Sequence, residues 1–425
     1  MAQTLAEKII ARASGQAQVR PGEVVTCKVD LAMIHDSGGP RRVKPILEKL
    51  QVGVWDPKRV VAISDHYVPA FDAESASILA LTRQWVADQG IENFHDMEGI
   101  CHVVLPERGH LRPGMLVVGG DSHSPTGGAF GCFMFGVGAT EMAGVLVTGT
   151  IWLRVPETIR IEWNGNFGPG VVAKDVMLHL CRTLGMDGGR YQAIEYGGDA
   201  IANLSMLERM TLCNMGAELG AQAALIAPDA TTAAYLQAAG ADPGDIAQWC
   251  GDPDAVPVET HRFDASALQP QVAAPHSPAN AAPVDSYGPT KIDQAYIGAC
   301  TGAKLNDLRM AAEVLKGQKV AKNLRLLIAP ASTRTTAEAA ADGTLATLTA
   351  AGAIIMPSGC GACAGYGAGV LAENEVCLAS TARNFKGRMG ASSAQVYLAS
   401  PYTVAASAVV GRIADPRPFL QGGAA

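Results

Sequence analysis

Short apolar, β-branched runs recur along the chain, and each ends in a polar or glycine-rich stretch. RVVAIS leads into DHYVPA, MLVVGG into DSHSPTGG, LRLLIAP into ASTRTTAEAAADG, and GAIIMPSG into a cysteine pair. A continuous apolar run of this length, bounded by turn formers, predicts a short strand buried on both faces. Helical patterns lie between the runs, so the alternation predicts an α/β fold whose strand ends deliver polar loops, where such folds bind ligands. The N-terminal MAQTLAEKIIARASG predicts a short amphipathic helix. Residues 262–291, rich in Pro and Ala and without periodicity, read as a linker or long surface segment ahead of a third α/β unit. No short-period repeat is present.

Composition narrows the class. The 425 residues are 48% hydrophobic and 17% charged, with 47 glycines and a net charge of −7. Such a chain can bury large cores, and its acidic balance argues against general nucleic-acid binding. No apolar run approaches the roughly 20 residues needed to cross a membrane, and the N-terminus lacks a signal peptide's apolar stretch. Ten cysteines are too sparse for a disulfide scaffold and fit a reducing cytoplasm.

Cysteines carry the first candidate chemistry: Cys300 in YIGACTGAKLNDLR, then Cys360 and Cys363 in MPSGCGACAGYG. Three thiolates in glycine-rich loops suit an iron–sulfur cluster with one iron left open, while the spacing alone equally allows a redox pair or buried apolar thiols. Histidines and carboxylates are the second signal. Asp65 and His66 follow one strand, Asp121, Ser122 and His123 another, His102 lies in GICH, His35 and Asp36 in MIHDSGG, and Asn214 and Glu218 four residues apart on one helical face. Taken singly, each is more simply a core histidine or a helix cap.

The segments IGACTGAKLNDLR, SGCGACAG and CLASTARNFKGRMGASSAQVYLASPYTVAASAVVGRI resemble, in this order, the cluster-binding segments of the aconitase superfamily. With AEKIIARASGQAQVRPGEVVTCKVDLAMIHD, DHYVPAFD, EGICHVVLPE, VVGGDSHSPTGGAFG, GVGATEMAGVLVTG and ERMTLCNMGAELGA, the chain is similar to the large subunits of 3-isopropylmalate dehydratase and homoaconitase. The likeness runs from about residue 4 to about residue 415.

The resemblance implies three similar α/β domains around a [4Fe–4S] cluster: residues 1–130, interleaved with 131–285, and then 286–425 carrying the cluster. It makes Cys300, Cys360 and Cys363 the ligands. His66 with Asp65 would protonate a leaving hydroxyl, while His102, Asp121, His123 and Glu218 would form paired networks. Substrate carboxylates and hydroxyls would meet His35, Asp36, Ser122, Asn214, Arg383 and Arg388, leaving Lys386 on the surface. The reaction would be dehydration and rehydration of a hydroxy acid, without net redox change. The swivelling fourth domain with the catalytic serine would come from a separate small subunit, and the chain alone would be incompetent. The likeness also has departures. Gly302 stands where the family carries the asparagine of GSCTN, Ala382 where it carries that of NRNF, and Met389 within its GRQG. These keep homoaconitate, 2-methylmalate and 2,3-dimethylmalate as alternatives to 3-isopropylmalate. A cluster-free RNA-binding regulator and an electron-transfer protein are the readings of other classes.

Overall fold

In a computed structural model, described over residues 2–420, three sheets of four or more strands follow one another along the chain, with a separate antiparallel pair formed by Val24–Lys28 and Thr150–Arg154. The first is five-stranded and wholly parallel, in the order Asn93–Asp96, Val60–Ser64, Leu31–His35, Leu116–Gly119, Phe133–Gly136. Its central strands Leu31–His35 and Val60–Ser64 are buried at every position, because helices cover both faces of a parallel sheet. The second holds Ala223–Ile226, Ala193–Gly197, Thr158–Asn164 and Glu259–Asp264, again all parallel. The third is seven-stranded. Its parallel part joins Gln395–Ala399, Val376–Ala379, Gln294–Ile297, Arg325–Ile328 and Ile354–Ile355, and two antiparallel strands, Gln271–Ala273 and Ala281–Pro283, complete one edge.

Two expectations change. Residues 262–291 are not a free linker: they close the second sheet through Asp264 and supply both antiparallel strands of the third. Three-residue strands are too short to show a period, and Pro283 is tolerated at a sheet edge, where no further ladder bond is needed. The strands of the first two sheets are consecutive, with Phe133–Gly136 still on the first and Gln271–Ala273 already on the third. The N-terminal helix Leu5–Ser14 bridges the first two sheets, which also meet where Phe133–Gly136 lies against Ala223–Ile226. Its Thr4/Glu7 capping box fixes its start, Thr4 Oγ1 accepts from Thr158, and Ala6 N donates to Glu195 of the second sheet. The first and third units meet where Ile100 N donates to Ala331 O and Thr333 N to Glu98 O, which brings the helix Cys101–Glu107 beside the third sheet.

Candidate active site

Strand ends converge on one cleft. His35 ends the strand Leu31–His35, Asp65 and His66 follow Val60–Ser64, Asp121 to His123 follow Leu116–Gly119, Cys300 follows Gln294–Ile297, Cys360 and Cys363 follow Ile354–Ile355, and Arg383 follows Val376–Ala379. His102 comes from the helix Cys101–Glu107 and Asn214 from Met206–Met215. That helix ends at Met215, and Glu218 sits in the following 3-10 turn, Gly216–Leu219. Asn214 and Glu218 therefore do not share a helical face: Asn214 turns to a thiol and Glu218 to the imidazoles.

Two hydrogen-bonded networks occupy the first-sheet side. In one, His66 Nδ1 lies 2.7 Å from Asp65 Oδ1, whose other oxygen accepts Cys101 N at 2.8 Å. Asp36 accepts the backbone amides of His66 and Tyr67 at 3.0 to 3.2 Å. The His35 ring stacks on His66 at 4.4 Å and donates from Nε2 to Gly120 O at 3.0 Å. Burial opposes charge here, but for Asp65 the imidazoles of His66 and His35 and the Cys101 amide win, holding the carboxyl well below its ordinary value. For His66, burial is outweighed by the Cys360 sulfur and the Asp65 and Asp36 carboxylates, which raise it well above the usual histidine range. Burial and the neighbouring His66 charge keep His35 low, so the pair holds one cationic and one neutral ring.

In the second network His102 Nε2 meets Asp121 Oδ1 at 2.7 Å, the His123 amide donates to the same oxygen at 2.7 Å, and His123 Nε2 lies 2.9 Å from Glu218 Oε1. Arg383 Nε donates to Glu218 at 2.7 Å and Nη1 to Ser122 Oγ at 2.8 Å. Despite burial, Asp121 is held low by His102 and His123, and Glu218 by His123 and Arg383. A cavity of about 320 Å³ opens here, lined by Asp121, Ser122, Ala217 and Arg383.

The thiols form the third-sheet side. Asn214 Nδ2 donates to Cys300 Sγ at 3.1 Å, and Cys360 Sγ is 3.8 Å from Asp65 Oδ2. Burial opposes the charge of Arg388, and the Cys363 sulfur beside it favours that charge. Several buried polar atoms around them have no protein partner, among them Arg388 Nε, Asn214 Oδ1 and His102 Nδ1, as expected if a further polar group belongs between the loops. Two compact groups of possible single-ion ligands occur among the described residues, His35/Asp36/Asp65/His66 and His102/Asp121/His123. In each, one imidazole–carboxylate hydrogen bond is already made, His66 to Asp65 and His102 to Asp121. The three thiols do not make such a compact group, so they suit a multinuclear cluster better than one tetrahedral ion.

Hydrogen bonds, ion pairs and ring contacts bring the histidine, carboxylate and cysteine candidates close to one another, and Lys386 is exposed. Two residues escaped the sequence reading. Lys174 and Lys304, each 1% exposed, reach under the Cys300 loop. Lys174 had a signal: it sits in the first turn of the apolar helix Ala173–Leu184, where a cation opposes the helix dipole.

A model of the aconitase family (aconitate hydratase) matches residues 7–291 and 285–411, and the chain belongs to that family. Among curated relatives, the large subunit 1 of 3-isopropylmalate dehydratase from Methanopyrus kandleri is 47% identical over 99% of this chain and 100% of its own length. A probable methanogen homoaconitase large subunit from Methanothermobacter thermautotrophicus is 44% identical over 97% of each chain. The 3-isopropylmalate dehydratase large subunit of Moorella thermoacetica is 43% identical over 99% and 100%. Among solved structures, aconitase X of Thermococcus kodakaraensis aligns over 94% of this chain and 90% of its own at 12% identity with a TM-score of 0.49, a likeness too slight to inform the site.

Proposed function

We propose that this chain is the large subunit of a 3-isopropylmalate dehydratase, an aconitase-type hydro-lyase that moves a hydroxyl between adjacent carbons by dehydration and rehydration. The observation that carries the reading is the Asp65–His66 pair standing against the Cys360 sulfur, in a chain that matches relatives of this name over nearly their whole length.

Cys300, Cys360 and Cys363 would hold a [4Fe–4S] cluster, with Asn214 bonding the Cys300 sulfur and the Arg388 cation beside Cys363. When bound, the cluster supplies Lewis acidity for a hydroxyl and carboxylate of the substrate, without net redox change. The chain's own residues do the rest. Asp65 fixes His66 as the cation, with the Nδ1 proton held, so that Nε2 can give its proton to the departing hydroxyl and recover it from water on rehydration. Asp121 and Glu218 fix the rings of His102 and His123. Arg383 and Ser122 present donors to the cavity, suited to a carboxylate. His35 and Asp36 shape the floor beside His66.

Each sheet with its helices is a domain of the proposed enzyme. The base that takes the carbon-bound proton, a serine on a swivelling domain, comes from a small subunit; the relatives' names speak of large subunits. Among the described residues no helix is long and apolar enough to cross a membrane, and the cytoplasm is the proposed location.

Homoaconitate is the second reading, because the relative named for it is as similar as several dehydratases. The test is anaerobic reconstitution with iron and sulfide, then assay with the cognate small subunit on 3-isopropylmalate, homoaconitate, 2-methylmalate and 2,3-dimethylmalate. The highest kcat/KM on 3-isopropylmalate is expected. A preference for another acid moves the substrate assignment, and full turnover without a small subunit refutes the division of labour.

A further inference from the structure

Lys174 is 1% exposed, and its ammonium donates to three neutral oxygens: Thr381 O, Ser380 O at 3.2 Å and Thr301 Oγ1 at 3.5 Å. Three N–H groups facing three acceptors suit the charged form, although burial lowers the Lys174 pKa to about 8. Thr301 Oγ1 itself donates to Ser380 O at 2.9 Å. One side chain from the second unit therefore ties the residue after Cys300 to the strand end that leads into Arg383.

The contrast with Lys304 is informative. That lysine, equally buried, donates to Thr211 Oγ1, Cys300 O and Asp307 Oδ2, the last an ion pair at 2.8 Å. Lys174 has no carboxylate in an ion pair among the described residues. Burial opposes its charge, and the acidic groups that act most against that opposition are Glu218, Cys300 and Cys363.

We propose that Lys174 is a positioning residue and the buried counter-charge of the three-thiolate centre, holding Cys300 in register with Arg383 and offsetting the negative charge gathered between the loops. This rests on the cluster reading above. A fixed cation at this depth favours the more negative, reduced state of the centre, so it raises the reduction potential, and the tie between loops slows loss of iron.

Lys174→Met retains length and apolar volume but neither charge nor donors. After anaerobic reconstitution, we expect about four irons per chain in wild type and variant, with the variant showing a lower reduction potential, an altered electron paramagnetic resonance signal when reduced, and iron loss in air faster by roughly 10- to 100-fold. Potential and loss rate equal to wild type would overturn the proposal while leaving the cluster reading intact; a wild-type chain that takes up no cluster would sink both. Should Lys174→Met fail to fold, Thr301→Val removes a single acceptor and the Thr301–Ser380 bond. It should then speed iron loss to a smaller degree, and an unchanged rate counts against the proposal.

Discussion

Cys300 and the Cys360/Cys363 pair approach one cleft from loops built on opposite lines. The Cys300 loop is gripped throughout: residues 294–304 are all buried, Lys304 and Lys174 donate into it, Asn214 bonds the sulfur, and Ser380 Oγ accepts Gly298 N at 3.0 Å. The other loop is held mainly at its start, where Cys360 N donates to Asp65 O, and beyond Cys363 it rises to the surface, with Tyr366 38% exposed. One proposed ligand is thus fixed by the fold while the other two sit on a segment that opens more cheaply. The difference teaches where such a centre should begin to come apart: at the cysteine pair.

The sharpest way to break the comparison is at the ligands. Cys360→Ser should abolish retention of about four irons per chain without altering the unfolding temperature, whereas Cys300→Ser should also destabilise the apo chain, since Asn214 is anchored on that sulfur. Equal effects of the two changes on apo stability, read by calorimetry, would erase the distinction between rigid and soft loops.

His66 lies at the foot of the soft loop. His66→Asn cannot relay a proton and should lower kcat by roughly 10²–10⁴ with iron content intact. Activity within about threefold of wild type would make the ring structural and point to His102 as the donor.

Two glycines offer a matched pair. A Cβ at Gly302 would lie 2.1 Å from Ser380 Oγ and 2.3 Å from Ser380 Cβ, in a loop that cannot yield. Gly302→Ala should cost about 1–3 kcal/mol of stability, and asparagine at this position should cost more unless Ser380 is also reduced to glycine. Gly361 has φ +53°, with its would-be Cβ 2.6 Å from Tyr296 Oη. There Gly361→Ala should cost about 1–2 kcal/mol through the left-handed backbone, and show itself first as faster iron loss. Chemical denaturation and iron release rank the two; a reversed ranking would mean that the cysteine-pair loop is the stiffer.

The smallest effect concerns the contact that carries the His102 helix to the third unit. Burial pushes the Glu107 carboxyl up to about 7, against the Ser332 hydroxyl that donates to it and the charges of Arg334 and Arg108, with Glu338 adding to the rise. Between the ordinary glutamate value and 7 the folded chain holds a proton that the unfolded chain has lost. Stability is therefore greatest below about 4.5 and falls as pH rises towards 7. Glu107→Gln should flatten that slope, worth on the order of 1–3 kcal/mol, in urea midpoints measured from pH 4 to 8. An unchanged slope would place the titration elsewhere.

The apolar runs before DHYVPA and DSHSPTGG announced buried strands with loops at their ends, and the structure has them, because strand burial on both faces writes itself into local composition; the run before the cysteine pair forms only the two-residue edge strand Ile354–Ile355, with Ile354 exposed. The chemistry of the cleft was legible for a related reason: cysteines beside glycines and Asp–His pairs are rare enough that a co-linear series identifies them. The antiparallel strands Gln271–Ala273 and Ala281–Pro283 were not legible. They are three residues each, and their partners lie more than a hundred positions away along the chain or across a turn with no regular pattern. Nor was the break between Asn214 and Glu218, where the helix tightens to a 3-10 turn and sends two adjacent candidates to different partners.

By itself, then, the sequence determined the class of fold and the kind of chemistry and named candidate residues for it, since residue type and local order settle those. Only the tertiary structure decided which histidine is charged, which thiol is rigidly held and which lysine lacks a counterion. Charge, burial and hydrogen bonding at His66, Cys300 and Lys174 are set by groups up to about three hundred positions distant, and no local pattern records a distance in space.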